Sequence, residues 1–142
     1  MSHPGNALQQ GIYNRLVNYA PLVAALGGPN VFDYIPQGTA SPYVRVGDET
    51  HTEWDTKDNR GWDTTMTIHA FVFEAAGQKQ VKTILGLIYD ALHQQETSVT
   101  VTGFNVLLLN YEFDHSYPEP GVQGAPDKYW HGVMRFRCVV TL

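Results

Sequence analysis

The segment Gln78–His93 constrains the fold most, because its apolar residues repeat with the period of an α-helix. A stripe at i, i+3, i+4, i+7 and i+11 is formed by Val81, Ile84, Leu85, Ile88 and Leu92. Lys79, Lys82 and Asp90 lie off this stripe, so one face is apolar and the other polar. The pattern predicts a central helix that packs on a sheet, and Gly86 within it predicts a close approach to that sheet.

Strand-forming runs lie on both sides of this helix. Trp62–Phe73 is rich in threonine, aromatic and β-branched residues, and its even-numbered positions are the more apolar. Tyr129–Leu142 alternates cleanly, with Phe136 and Cys138 on the apolar face. Shorter strands are predicted at Val31–Ile35 and Pro42–Asp48, and a hairpin that turns at Gly103 is predicted from Ser98–Thr102 and Asn105–Asp114.

The N-terminal part of the chain predicts two helices, Ala7–Ala20 and Pro21–Leu26, with Asn6 as the N-cap of the first. The resulting order is two helices, three strands, one helix and three strands. This order predicts a single domain over residues 1–142. Its fold class is α+β, with a mostly antiparallel sheet, an N-terminal helical segment and one central helix packed on one face.

Charge and composition limit the classes of function. The formal net charge is −5, from 14 acidic and 9 basic residues. No block of like charge is present, which argues against a dedicated nucleic-acid surface. The polar start of the chain does not resemble a signal peptide, and no apolar stretch approaches the roughly 20 residues of a membrane span. We therefore expect a protein that is made and folded in the cytoplasm and has no membrane partner.

The residues that carry enzyme chemistry do not form a recognisable site. Cys138, the only cysteine, lies inside a predicted strand and is expected to be a buried apolar residue. His51 and Glu53 would share a face of a strand, and His69, His115 and His131 could approach across strands. None of these spacings matches a known metal motif, and no phosphate-binding loop or nucleophile elbow is present. The sequence predicts no catalytic residue, no metal and no cofactor.

Two long connections do not fit a minimal core. Gly47–Gly61 is highly charged, and His115–Lys128 is rich in proline and glycine. Connections of this length in a compact domain are usually functional or disordered. Each contains a large aromatic residue, which a solvated loop does not need. We therefore predict protein-interface residues there, namely Trp54, Asp55, Lys57, Arg60 and Tyr117.

Several short motifs, in this order and spacing, resemble the tail-completion, or tail-terminator, family of long-tailed phages and gene transfer agents. They are Val31–Gly38 followed by Pro42-Tyr43-Val44, the charged Trp54–Lys57, the strand Thr67–Phe71, the helix segment Ile88–His93, and the closing His131–Arg137. The resemblance covers nearly the whole chain. The His115–Lys128 segment is longer than the family pattern, so no role is carried over to it.

The resemblance implies a structural protein of a virion or phage-like particle, made in the bacterial cytoplasm and placed at the tail–head junction. Family members assemble as a ring, commonly a hexamer, on the last ring of the tail tube. The ring stops elongation and offers a surface to the head connector. The implied partners are further copies of the chain, the tail tube protein and a head–tail connector or adaptor protein, with DNA only passing through the lumen.

Two other readings remain open at the level of sequence. A head–tail adaptor or connector ring has the same size, symmetry and lack of chemistry, and differs only in its neighbours. A small-molecule-binding or hydrolytic α+β domain would use His51, Glu53 and Asp55 as polar groups. A well-formed apolar pocket beside those three residues would favour the small-molecule reading.

Overall fold

The computed structural model describes residues 2–73, 77–119 and 129–142, in which three helices lie on one face of a five-stranded sheet. The elements are α1 (Gly5–Val17), α2 (Ala20–Leu26), β1 (Val31–Phe32), β2 (Tyr43–Glu53), β3 (Gly61–Phe73), α3 (Gln78–Leu92), β4 (Asn105–Glu119) and β5 (Tyr129–Thr141). The strand order is β1-β2-β3-β5-β4. Only β1 and β2 pair in parallel, and every other pair is antiparallel. The predicted α+β class is confirmed.

The apolar stripe of α3 is buried against the sheet, as its periodicity predicts. The closest approach is at Gly132 of β5, where an added Cβ would lie 2.9 Å from side-chain atoms of Val81 and Leu85. Gly86, by contrast, lies on the outward side of α3, and a Cβ there would meet no atom within 4 Å. The prediction that Gly86 packs on the sheet is wrong, because position 86 falls on the polar side of the helix.

The covered face of the sheet consists of the residues that alternation assigns to it. In β3 the even-numbered positions from Thr64 to Val72 are fully buried, and in β5 Phe136 and Cys138 face the same core. The side chain of Thr64 donates a hydrogen bond of 2.7 Å to the carbonyl oxygen of Cys138. This bond satisfies the one polar side chain that the central strand places in the core.

Two β-bulges change the faces of β4. Sequence alternation places Leu107, Leu109, Tyr111 and Phe113 on one face. The register shifts between Val106 and Leu108 and again between Tyr111 and Phe113. Leu109 is therefore buried, whereas Leu107 and Phe113 are 52% and 43% exposed. A single inserted residue reverses the facing of all residues beyond it, and periodicity alone does not reveal it.

The predicted strand Ser98–Thr102 is not a strand. This segment is an irregular connection whose Val99 and Val101 are buried against the helices. The backbone passes so close to α1 that a Cβ on Gly11 would lie 2.4 Å from the carbonyl oxygen of Thr100. Alternating apolar and polar residues resemble a strand in sequence even where the segment has no partner strand.

Both long connections are shorter than predicted. β2 continues to Glu53 through a bulge at Asp48, whose φ is 56°, so the first connection is only residues 54–60. β4 continues to Glu119, so residues 115–119 are strand, and the rest of the predicted loop lies outside the described residues. Charged and threonine-rich sequence forms strand that is largely exposed in both places.

The N-terminal region differs in smaller ways. α1 begins at Gly5 after Pro4, and Asn6 is inside the helix, so it is not the N-cap. β1 ends at Phe32, which leaves Tyr34 80% exposed in the following loop.

We predict that Leu85→Ala destabilises the protein by about 2–5 kcal/mol, because truncating a buried leucine leaves a cavity against β5. Chemical denaturation measures the loss. Lys79→Ala, on the exposed side of the same helix, is the control and should change stability by less than about 0.5 kcal/mol. Equal stability of the two variants would contradict the packing of the α3 stripe on the sheet.

Candidate functional site

The face of the sheet opposite the helices, here called the open face, is not covered by any other described element. Its three arginines are each paired with a carboxylate. Arg137 donates two hydrogen bonds to Asp63, of 2.9 and 2.8 Å. Arg135 donates one of 2.8 Å to Glu112, and Arg45 lies 3.4 Å from Asp48. No arginine of the described open face is left to hold a phosphate.

One end of the open face carries a layer of aromatic rings. Phe71 stacks on Tyr43 with ring centroids 5.1 Å apart, and on His131 at 4.4 Å. Phe73 stacks on Tyr129 across the β3–β5 pair at 5.2 Å. Cross-strand aromatic pairs stabilise a sheet, and half-exposed aromatic rings are also enriched where proteins associate. The open face therefore combines balanced charge with an aromatic patch.

Two histidines are in direct contact within this patch. Their positions are diagonal across β3 and β5, and His69 Nδ1 lies 2.8 Å from His131 Nε2. The two residues are only 7% and 8% exposed. At one end of this hydrogen-bonded pair, His69 Nε2 lies 2.6 Å from Asp48 Oδ2. At the other, His131 Nδ1 lies 2.8 Å from the Tyr117 hydroxyl and 3.0 Å from Glu119 Oε2.

One arrangement of protons satisfies all the hydrogen bonds of His69 and His131 with both imidazoles neutral. His69 donates its Nε2–H to Asp48, and its Nδ1 accepts the Nε2–H of His131. Nδ1 of His131 then accepts the Tyr117 hydroxyl proton. One further proton fits on His131 Nδ1, facing Glu119. A second additional proton, on His69 Nδ1, does not fit, because it would point at the Nε2–H of His131.

Burial is the main cause of the shifted pKa values in this pair. Desolvation lowers the pKa of His69 below its usual value, against the opposing effect of its hydrogen bond with Asp48. The pKa of His131 is lowered by burial as well, opposed chiefly by the charge of Glu119. Asp48 has a lowered pKa because it accepts a hydrogen bond from His69. The neutral histidine pair is thus the form that the folded protein favours.

We predict that the protein loses stability on mild acidification. Since the pKa values of His69 and His131 lie below their ordinary value of 6.5, the unfolded chain binds more protons than the folded one below that pH. The contribution of the two histidines to the free energy of unfolding should be complete above about pH 6.5. It should decrease as the pH falls from there through their lowered pKa values. The charged groups facing the pair are Asp48 and Arg45 from β2 and Glu119 from β4.

Denaturant titrations between pH 5 and 7.5 measure this dependence, and the double variant His69→Gln/His131→Gln should show a weaker one. NMR titration of the imidazoles in the native protein gives the same information without a substitution. Stability that rises from pH 7 to pH 5, or imidazoles that titrate above their ordinary value, would contradict the neutral pair.

The predicted interface residues fall into two groups. Trp54, Asp55, Lys57 and Arg60 lie on the tip of the β2–β3 hairpin, residues 54–60, where all are exposed. The Thr56 backbone N–H donates to the Asn59 carbonyl oxygen at 2.8 Å, and Asn59 Nδ2 donates to the Leu142 carbonyl oxygen at 3.2 Å. The tip is therefore a turn that hydrogen bonds hold at the end of the sheet.

Tyr117 is not a loop residue, as the sequence analysis predicts, but a half-buried residue of β4. Its hydroxyl is bonded to His131, and its ring stacks on His115 with centroids 5.4 Å apart. The sequence interpretation missed the strand because proline and glycine dominate the segment after it. It also missed Tyr34, which becomes a surface residue only because β1 ends early.

The residues proposed for small-molecule chemistry do not share a pocket. A cleft of about 430 Å³ between α1 and β1 is lined mainly by polar side chains, including Asn6, Gln9 and Gln10. Asp55 lies in a separate shallow cleft at the hairpin tip. His51 pairs with Glu49 at 2.7 Å and is in neither set of lining residues. Neither of these two clefts is an apolar pocket beside His51, Glu53 and Asp55.

The described parts of the chain show no activated thiol and no cluster of metal ligands. Cys138 is fully buried in β5, and burial raises the pKa of its thiol to about 12. A thiol with so high a pKa is a poor nucleophile. No group of three His, Cys, Asp or Glu residues within the described ranges could hold a metal ion. None of the described helices is long and apolar enough to cross a membrane.

The described part of the chain thus combines a sheet that helices cover on one face with an open face on which each arginine is paired with a carboxylate. The family model for tail completion protein gp17 matches residues 10–141. The chain belongs to this family of structural phage-tail proteins.

Comparison with solved structures gives the same fold. A chain in the virion of a native gene transfer agent particle has a TM-score of 0.74 at 25% sequence identity. The similarity covers 98% of this chain and 99% of that chain, so it extends over the whole fold. None of the curated proteins matches this chain.

Proposed function

We propose that the chain forms a ring, a hexamer as the family resemblance implies, that caps the tail tube. The ring ends elongation and offers a surface to the head connector or adaptor. Membership of the tail completion family carries this proposal, and the similarity to a chain of a gene transfer agent virion supports it. The partners are further copies of the chain, the tail tube protein and the connector protein.

Arrested growth requires only a difference in binding between the two sides of the ring. One side resembles a tube ring and docks on the last tube subunits, whereas the other side offers them no matching patch. A penalty of about 4 kcal/mol for adding the next tube ring suppresses overgrowth roughly a thousandfold. No catalytic turnover is needed, which agrees with the inert thiol of Cys138.

The open face suits a passage for DNA. Cations facing the lumen would bind phosphates and retain the DNA. Arg45, Arg135 and Arg137 are each paired with a carboxylate of the same face, so their charge is already balanced. The half-buried Tyr117 also belongs to this face. We propose that its ring contacts another protein from the strand, not from a projecting loop.

The hairpin tip supplies the intersubunit or tube contact in this proposal. We predict that Trp54→Ala changes the stability of the isolated protein by less than about 1 kcal/mol, because Trp54 lies on an exposed turn outside the core. The same substitution should impair incorporation into particles. Denaturation and a particle-incorporation assay measure the two effects. A large fall in melting temperature would instead make Trp54 a core residue and contradict the proposed contact.

The function itself is tested by deleting the gene. We expect tails of irregular and excessive length, or heads without joined tails, in electron micrographs of the deletion strain. Complementation with the native chain should restore both length and joining, and the Leu85→Ala variant should complement poorly because it is unstable. Tails of normal length joined to heads in the deletion strain would contradict the proposed function.

A further inference from the structure

The outward side of α3 holds a glycine that no described contact explains. Gly86 lies near the middle of this 15-residue helix, is exposed, and has open space where a Cβ would be. A glycine destabilises a helix interior relative to alanine because it has greater freedom in the unfolded chain. Alanine would fit Gly86 without any clash with the described residues. The absence of a side chain would be useful if a second copy of the chain approached the helix there.

The neighbours of Gly86 give this spot a defined charge pattern. Lys82 lies one turn before Gly86 on the same side of the helix, and Tyr89 and Asp90 lie one turn after it. All three are exposed. Gly86 is thus a gap between longer side chains, with a cation on one side and an anion on the other.

The tip of the β2–β3 hairpin has the complementary features. Trp54 is 39% exposed and is next to Asp55, with Lys57 two residues further on. Neither Asp55 nor Lys57 forms an ion pair within the described residues. The turn is held by the hydrogen bond between Thr56 and Asn59, so little conformational entropy is lost when the turn binds a partner.

The two surfaces are different patches of the subunit. The tip precedes Gly61 at the start of β3, whereas α3 begins after β3 has crossed the whole sheet. The first half of α3 packs beside Gly132, near the other end of β5. A contact between two different patches of neighbouring copies is heterologous, and it closes into a ring when the rotation permits.

We propose that the hairpin tip of one copy docks on the outward side of α3 of the next copy. The Trp54 ring lies over Gly86, Asp55 pairs with Lys82, and Lys57 pairs with Asp90. This inference rests on the proposed ring and names the two surfaces that join its subunits. It makes a flat aromatic ring the anchor of the contact and predicts that a side chain at position 86 weakens the contact.

The first test separates stability from assembly. Gly86→Ala should raise the denaturation midpoint of the isolated chain, because alanine is the better helix former. It should weaken self-association or incorporation by about tenfold or more, because the added methyl group displaces the Trp54 ring. Asn14→Ala, at an exposed position of α1, is the matched control and should leave assembly unchanged. A Gly86→Ala chain that assembles as well as the native chain would overturn the contact.

The second test locates the contact in assembled particles. A chain carrying Asp55→Cys and Lys82→Cys should form disulfides between copies on mild oxidation, and the ladder of linked species should end at the number of copies in the ring. The buried Cys138, whose pKa is raised to about 12, does not compete. The pair Gln10→Cys and Lys82→Cys, with the first residue exposed on α1, is the control and should not cross-link.

The outcomes distinguish this inference from the function on which it rests. Particles with joined tails of normal length but no Asp55–Lys82 cross-link would overturn the contact and leave the proposed function standing. A chain that is absent from the particles would overturn both. A cross-link of equal yield in the control pair would also overturn the contact, because the linkage would then be nonspecific.

Discussion

The burial of one face of the sheet beneath three helices is the constraint on which the rest of the molecule depends. The stripe of α3 and the apolar residues of β3 and β5 form one continuous core. At Gly132 the helix approaches the backbone so closely that a Cβ would lie 2.9 Å from side-chain atoms of Leu85 and Val81. Because all three helices cover the same side, no other described element covers the opposite face.

The open face carries ion pairs and aromatic rings rather than a second apolar core. Its exposed ion pairs contribute little to the free energy of unfolding, since partly solvated pairs gain little over their hydrated ions. Pairing each arginine within the subunit nevertheless lowers the penalty of bringing that face close to another surface. The His69–His131 pair is different, because both imidazoles are buried and fully hydrogen-bonded to each other and to their neighbours. It joins β3 and β5 at the aromatic end of the face and introduces the predicted sensitivity to acid there.

The features that sequence could predict are those with a local period. The α3 stripe and the long alternations of β3 and β5 give the α+β class directly, because each pattern spans enough residues to exclude the other structure. The exposed aromatic Trp54 was predicted as well, since a large apolar ring in a charged connection has no place in the core.

The features that sequence could not predict depend on distant partners. The bulges of β4 reverse the faces of Leu107 and Phe113, and they are defined only by the pairing with β5. Val99 and Val101 alternate like a strand, but they cover the end of the core instead. The contact of His69 with His131 joins residues far apart in sequence, so no spacing motif reports it. The side of α3 on which Gly86 lies cannot be predicted from sequence alone, because a glycine in a helix is consistent with either packing or exposure.

The central claim, that this chain closes the tail tube as a single ring, is tested most directly by imaging the particles that contain it. Electron cryomicroscopy of intact particles should show density that fits this fold only between the last tube ring and the head connector, as one closed ring. The hairpin tips should point from each copy towards its neighbour. Density for this chain that repeats along the tube, or that lies at the far end of the tail, would contradict the account.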